Sequence, residues 1–558
     1  MTKNAEYTAE INTVVPGVGT IGKGRLSMYG KLRFLQLVLV WGFALTAVAQ
    51  CPPRPAPGTP ISNPLDLYSQ NGVLTLDLRL RSEIGTTGFT HYCYVYMNNG
   101  RAIEAPTLRL NPGDQLILNI TNSISVVGKA PPSRHRPMMP MEIGDAKEAA
   151  LRGDPCLGGM LTATTTNIHF HGMNVAPVCH SDEVVKTIIP NNNVPFQYNF
   201  QIPPNDNFGL YWYHPHPHGF SAPQVYGGAA GALIIEGTNQ ITQGLTERVL
   251  TIRRNVDQRT DDDGQFTVNF QVANYPRKPL PIINMKAGQA EFWRVINAAT
   301  NSFLSLQVIA PLPQQLQVIA LDGVPTTPYY TTTINLPPAG RAEFIVPALR
   351  ANADAVFLTK GFNTGSIGDR MPPQRLAQLV VGASGNDEVH TSRTTPPPAV
   401  APRFSGLASV TPTRTRALYF SELNVGTNGP GPAGGPGQFF ITVAGQQQKT
   451  FDANNPPAIT TKIGAVEDWT ISNTSAEPHA FHIHQVHFLV TAINGQKVSN
   501  PRLVDTVTVP PWTGTGPYPN VTVRMDFRDP NITGKFVYHC HILDHEDGGM
   551  MATIEVKP

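Results

Sequence analysis

Charge is sparse in this chain and close to balance: 41 Lys and Arg stand against 39 Asp and Glu over 558 residues, a formal net of +2. Such a surface offers no basic footprint for nucleic acid and no strong pull on an acidic partner. Helical stripes are missing too. Apolar residues come in short alternating runs, and 49 Gly with 52 Pro interrupt them, which argues against a helical bundle and for an all-β fold. One long, largely apolar run exists, FLQLVLVWGFALTAVA from Phe34 to Ala49, and it is shorter than the ~20 residues a membrane span needs. Lys31 and Arg33 precede it and Ala47-Val48-Ala49 closes it, the pattern of an export signal cut before Gln50. Met28 opens an amino-terminal region of more usual length, so residues 1–49 read as a signal and upstream segment whose true start is Met28. The mature chain is expected to be exported, periplasmic or secreted, without a membrane span, and monomeric.

Cysteine is scarce, with five in all. In an oxidising compartment Cys51, Cys93, Cys156 and Cys179 can form two disulfides, and three pairings are open. Cys156 with Cys179 is favoured because the two flank one loop-and-strand region. Cys540 is left over, inside YHCHILDHEDGGMM from Tyr538 to Met551.

A chain of 558 residues is too long for a single core. VLTLDLRL, from Val73, alternates apolar and polar residues as a half-buried strand does. A related pattern recurs in GDQLILNITN from Gly113, GQAEFWRVIN from Gly288 and GAVEDWTISN from Gly464, at intervals of 175 and 176 residues (288 − 113 and 464 − 288). Each copy has a large apolar residue five after the glycine (Leu118, Trp293, Trp469) and an asparagine nine after it (Asn122, Asn297, Asn473). Repetition on this scale points to copies of a domain rather than a solenoid. The expected division is 50–240, 241–390 and 404–558, with a proline-rich linker over 391–403 and a turn-rich insertion from Val126 to Thr166 in the first domain.

Of 16 histidines, 13 fall in four short segments; His91, His135 and His390 lie elsewhere. The segments are NIHFHGMNVAPVCHSDE, YWYHPHPHG, EPHAFHIHQVHFLV and the stretch around Cys540. Four dense clusters need a shared cause, and metal ligation is the usual one. FVYHCHI reads as a strand, so Cys540 points one way while His539 and His541 point the other. On the sulfur side, His545 and Met550 can fold back, and His479 can supply a second imidazole. Thiolate, two imidazoles and a thioether define a blue-copper centre; zinc has no use for an axial methionine. On the opposite face, His539 and His541 join three more H-x-H pairs, His169 with His171, His214 with His216, and His482 with His484. Eight imidazoles exceed what one copper takes and suit a cluster of three.

Taken together the four segments resemble the copper-binding signatures of the multicopper oxidases, the family of laccases, ferroxidases, bilirubin oxidases and bacterial cuprous oxidases. The resemblance implies three consecutive cupredoxin-like Greek-key β domains and four copper ions. Type 1 copper would sit on His479, Cys540, His545 and Met550, type 2 on His169 and His482, and the type 3 pair on His171, His214, His216, His484, His539 and His541. It also implies four one-electron oxidations of a small reducing substrate coupled to reduction of O2 to water. Reducing O2 consumes protons, so carboxylates are expected near the cluster: Glu546 as a proton relay and Asp182 beside the type 2 site, with Glu183 as the fallback. His180, His218 and His487 exceed the ligand count and are expected to hydrogen-bond to the ligand rings. Met551 reads as core packing. Ala480 replaces the proline common after the first histidine of the third signature, with ligand spacing kept.

Phenols and aromatic amines, oxidised as by a laccase, are the first expectation for substrate, and they require an open, partly apolar mouth over His479 or His545. The alternative is a metallo-oxidase acting on Cu(I) or Fe(II), which needs thioether or acidic groups near the type 1 site. Met138, Met139 and Met141 in RPMMPM supply thioethers, but on an insertion expected to lie far from the third-domain type 1 copper and to serve as surface packing. A reading of another class is a metal-free periplasmic scaffold of the same fold, against which stands a complete set of ligands. A copper nitrite reductase has no use for four H-x-H pairs.

Overall fold

The computed structural model describes residues 51–85, 88–129, 141–237, 241–255, 265–382, 390–391, 403–423 and 437–558. The signal segment, Met138, Met139 and all but the ends of the 391–403 linker lie outside them. Strands make up nearly every element, and the longest α-helix is Ala146–Arg152. Along Val73–Ile84 burial alternates as expected, with Leu74, Leu76, Leu78 and Leu80 inside and Thr75 and Asp77 outside.

Among the described residues the strands form six larger sheets in three successive pairs along the chain. Each pair encloses its own apolar core, built on residues such as Leu118 in the first, Trp293 in the second and Trp469 in the third. The recurring ten-residue pattern has the same use in all three. Gly113, Gly288 and Gly464 take the left-handed backbone, φ +91, +74 and +91, which a side chain would disfavour. The strands that follow, Gln115–Ser123, Glu291–Asn297 and Ala465–Asn473, each pair in parallel with an earlier strand and antiparallel with a later one. Asn122, Asn297 and Asn473 are fully buried. Each accepts at Oδ1 from the backbone N–H two residues on and donates from Nδ2 to the carbonyls of neighbouring loops. One side chain thus closes the loops at the strand's end without leaving a buried polar atom unpaired.

The disulfides are Cys51–Cys93 and Cys156–Cys179, the second being the pairing favoured from sequence, and Cys540 is free and buried. The insertion touches the third sheet pair. Its hairpin, Met141–Gly144 with Gly158–Leu161, meets a loop of that pair, where Asn454 Nδ2 donates to the Glu142 carbonyl at 3.4 Å and Gly144 N–H donates to Asn454 Oδ1 at 3.4 Å. Met141 packs with Ile143, Leu161, Ile188 and Ala453, because the hairpin buries its apolar face there.

A buried charge network joins the first and second sheet pairs. Arg109 reaches Asp66 at 2.8 Å, Glu236 at 2.8 Å and Glu247 at 3.1 Å, and Arg294 reaches Glu247 at 2.6 Å. Arg109→Ala would leave Asp66 and Glu236 buried without this cation and Glu247 with Arg294 alone, so we expect a loss of ~3–5 kcal/mol in stability, read as a lowered thermal midpoint; an unchanged midpoint refutes this account of the junction.

Candidate metal centres

Cys540 ends the strand Gly534–Cys540, which lies antiparallel to His479–Ile483 with Cys540 opposite Phe481 and His539 opposite His482. Directly paired residues share a face, so the thiol and the flanking imidazole face opposite ways. After Ile542 the short helix Leu543–Asp547 reverses the chain, and Met550 N–H donates to the His545 carbonyl (2.8 Å) while Cys540 N–H donates to the Met550 carbonyl (3.1 Å). His545 therefore returns to the sulfur. Cys540 Sγ lies 3.6 Å from His479 Nδ1 and 3.8 Å from His545 Nδ1, and the two Nδ1 atoms are 3.2 Å apart. Met550 is fully buried in the same core. Burial pushes the Cys540 thiol up, but hydrogen bonds with His479 and His545 outweigh it and bring the thiol down to about 6. A thiolate is the form that ligates metal.

The outer nitrogens of these two rings are also held. His479 Nε2 is 2.7 Å from Ser475 Oγ and 3.0 Å from Glu422 Oε1, and His545 Nε2 is 3.4 Å from Glu477 Oε1. Neither ring reaches solvent to a useful degree, His479 being 0% and His545 3% exposed. Glu422 escaped the sequence reading, since it stands 57 residues before His479 (479 − 422) in no motif. Glu477, two residues before His479, was visible but indistinct.

On the opposite face all eight paired histidines converge. His169–His171 lies against Gly209–His214 with His169 opposite His214, and three groups have ligand atoms within 4.8 Å of one another: His169, His171 and His482; His171, His214 and His541; His216, His484 and His539. Burial drives all eight imidazoles below their usual range, His214 to about 3 and His539 to about 4. They are neutral, with lone pairs free to bind a cation. For five rings one nitrogen has a fixed partner: His169 Nδ1 with Asp182, His171 Nε2 with Asp505, His214 Nδ1 with the Pro215 carbonyl, His482 Nδ1 with the Asp505 carbonyl and His539 Nδ1 with the Cys540 carbonyl. In four of these the other nitrogen, His169 Nε2, His171 Nδ1, His214 Nε2 and His482 Nε2, is buried with no hydrogen-bond partner. Such atoms are costly unless something absent from the protein fills the space between them.

The two proposed acids both reach this cluster. Asp182 is fully buried and lies 3.0 Å from His169 Nδ1 through each oxygen, accepting also from Phe170 N–H (2.9 Å) and Gln485 Nε2 (2.5 Å). Burial pushes its carboxyl well up, against the pull of the Phe170 N–H. Glu183, the fallback, instead accepts from the backbone of Val185, Lys186 and Thr187 and shapes a turn. Glu546 accepts from Ser221 Oγ at 3.1 Å and lies 3.6 Å from His216 Nδ1 and 3.5 Å from His539 Nδ1; burial and the neighbouring Asp547 push its carboxyl well up. Asp505, 334 residues from the His171 it meets, was missed; no local pattern marks it.

Of the surplus histidines, His487 donates from Nε2 to the Asp322 carbonyl (2.7 Å) and lies 3.5 Å from Asp505, one step from the cluster. His218 is buried with its ring against Phe451. His180 corrects the expectation. Its left-handed backbone, φ +66, turns it outward onto Phe196, with Nδ1 donating to the Gln197 carbonyl at 2.6 Å, so it holds no ligand ring. Met551 packs with Val184 and Val537, as expected.

A buried thiolate between two imidazoles, backed by a crowd of neutral histidines in a β-sandwich, is the apparatus of a copper redox protein. Three family models, each described as multicopper oxidase, match residues 160–240, 212–382 and 431–558. The chain belongs to the multicopper oxidase family: it is an oxidoreductase acting with O2, built of three consecutive cupredoxin-like domains. It is 26% identical to the multicopper oxidase mco of Staphylococcus aureus across 62% of this chain and 67% of that one. It is 24% identical to a laccase of Haloferax volcanii across 81% of this chain and 76% of that one. In structure it is similar to a Campylobacter jejuni multicopper oxidase described as a metallo-oxidase, with TM-score 0.62, 23% identity and coverage of 90% of this chain and 96% of that one.

The family implies copper, and the soft sulfur, the imidazoles and the buried nitrogens without partners fit it. Stripping the metal with a chelator should lower the thermal midpoint, since a ligand at a thousand times its Kd stabilises by ~4 kcal/mol per site. His214→Ala should shrink that difference; equal midpoints for loaded and stripped protein contradict the assignment.

Proposed function

We propose that this protein is a metal-ion oxidase, taking single electrons from Fe(II) or Cu(I) and reducing O2 to water, with four copper ions as its working complement. His479, Cys540, His545 and Met550 would hold type 1 copper, His169 and His482 type 2, and His171, His214, His216, His484, His539 and His541 the type 3 pair. Copper in those positions supplies one-electron redox steps, four of which reduce one O2. Cys540 provides the route between the centres: its backbone joins His539 and His541 directly, and its own carbonyl accepts from His539 Nδ1 at 3.0 Å.

One observation carries the choice of substrate. Both type 1 imidazoles meet a carboxylate at the outer nitrogen, Glu422 for His479 and Glu477 for His545, so the immediate surroundings of the sulfur site are acidic. A small cation is attracted there, and a carboxylate hydrogen-bonded to the ligand ring gives it a short path for its electron. A phenol would need an open apolar mouth, whereas both rings are covered. Phe439, itself fully buried and stacked on His545 at 4.4 Å, is part of that cover. Glu546 serves as proton donor to the cluster, with Ser221 behind it, and Asp182 orients His169. The Cys51–Cys93 and Cys156–Cys179 disulfides support an exported, oxidising location, and we take the working unit to be a monomer divided at 50–240, 241–390 and 404–558.

Glu422→Gln and Glu477→Gln keep the shape and remove the charge. KM for Fe(II) or Cu(I) should rise about tenfold, the equivalent of ~1.4 kcal/mol, with phenol oxidation little changed. A larger loss on the phenol overturns the metal-ion reading. Glu546→Gln should slow O2 reduction by ~10²-fold or more and spare reduction of the sulfur site; stopped-flow traces with the reverse order exclude Glu546 as donor.

A further inference from the structure

Residues 241–382, which form the second sheet pair apart from its short strand His390–Thr391, contain neither histidine nor cysteine and so offer neither imidazole nor thiolate to the copper sites. Yet one of their side chains reaches the cluster. We propose that Arg341 is a positioning residue for the histidine cluster: by clamping Asp505 it sets the ring of His171 and, with it, the cluster's grip on copper. This rests on the copper reading above.

The clamp is complete. Arg341 is fully buried. Nη1 donates to Asp505 Oδ1 and Nη2 to Asp505 Oδ2, each at 2.7 Å, and the remaining donors go to the carbonyls of Leu210 (3.2 Å), Ala339 (3.3 Å) and Asp322 (2.9 Å). Asp505 Oδ1, held in that fork, meets His171 Nε2 at 3.2 Å. His171 Nδ1 then faces the other imidazoles without a hydrogen-bond partner. The Asp505 carbonyl holds His482 Nδ1 at 2.7 Å, so one residue orients two rings. Gly172 is an independent sign of the same arrangement: with φ +86, a Cβ there would lie 2.6 Å from Arg341 Nη2 and 2.7 Å from Asp505 Oδ2. Glycine at 172 thus suits both its left-handed backbone and the space the ion pair takes. A lysine at 341 would bring a point charge without the two-pronged fit.

The test uses the copper-loaded protein as wild type, Arg341→Lys, Asp505→Asn and the double variant. Each is dialysed against graded EDTA, and copper per chain, the blue absorption of the Cys540 site and the electron paramagnetic resonance of the remaining copper are followed. Altered support of a ligand costs ~10–100-fold in metal affinity, so cluster copper should leave at correspondingly lower EDTA while the blue absorption stays. The double variant should be no worse than either single one, since the two residues act as a unit. Gly172→Ala, which keeps every charge, should behave like Arg341→Lys. Cluster copper retained to wild-type EDTA in the variants overturns the proposal. So does loss of blue and cluster copper in one step, or failure of both Arg341→Lys and Asp505→Asn to fold, either of which makes the pair general scaffolding. Wild-type protein that holds no copper among the histidines would instead refute the copper reading.

Discussion

A strand presents adjacent side chains to opposite faces, and at Cys540 that geometry decides the rest of the molecule. The sulfur turns toward His479 and His545 while His539 turns toward the other histidines. Two chemically different environments are separated by the thickness of one backbone, and the same residues that separate them also connect them. A helix could not do this, because neighbouring side chains would fan around its axis instead of dividing cleanly between two faces.

Putting eight imidazoles into one buried space is unfavourable unless each is neutral and each ring is aimed. Exclusion of water accounts for neutrality. Aim comes from outside the cluster, through Asp182, Asp505 and the carbonyls of Pro215 and Cys540, each of which occupies one nitrogen and leaves the other to face inward. Sheets at both ends of the chain contribute, so the cluster exists only when the first and third sheet pairs are together. The second pair adds Arg341 behind Asp505, and all three take part in the site's geometry although only two contribute rings.

Around the sulfur centre the logic is different. There the rings flank a thiol drawn down by its hydrogen bonds to them, and their outer nitrogens end on carboxylates. Hydrogen bonds with Cys540 and Glu422 outweigh burial and bring His479 up to about 9. The sulfur and its two rings are thus bordered by the carboxylates of Glu422 and Glu477.

Much of this was legible along the chain because strand alternation and ligand spacing are local. HCH followed by His545 and Met550, the four H-x-H pairs, and the repeated glycine, apolar residue and asparagine at Gly113, Gly288 and Gly464 all depend on neighbours within about a dozen positions, and backbone period alone assigns their faces. Asp505, Arg341, Glu422 and the outward turn of His180 were not legible, nor was the hairpin at Met141 meeting Asn454. Each is settled by contacts between segments far apart in sequence, where close packing and the need to pair every buried charge choose the partner. By itself the sequence determined the candidate donor residues and their division between two faces; the tertiary structure alone decided which nitrogen of His169, His171, His214 and His482 stays open and which carboxylates border the sulfur site, because both follow from partners that folding brings in from elsewhere.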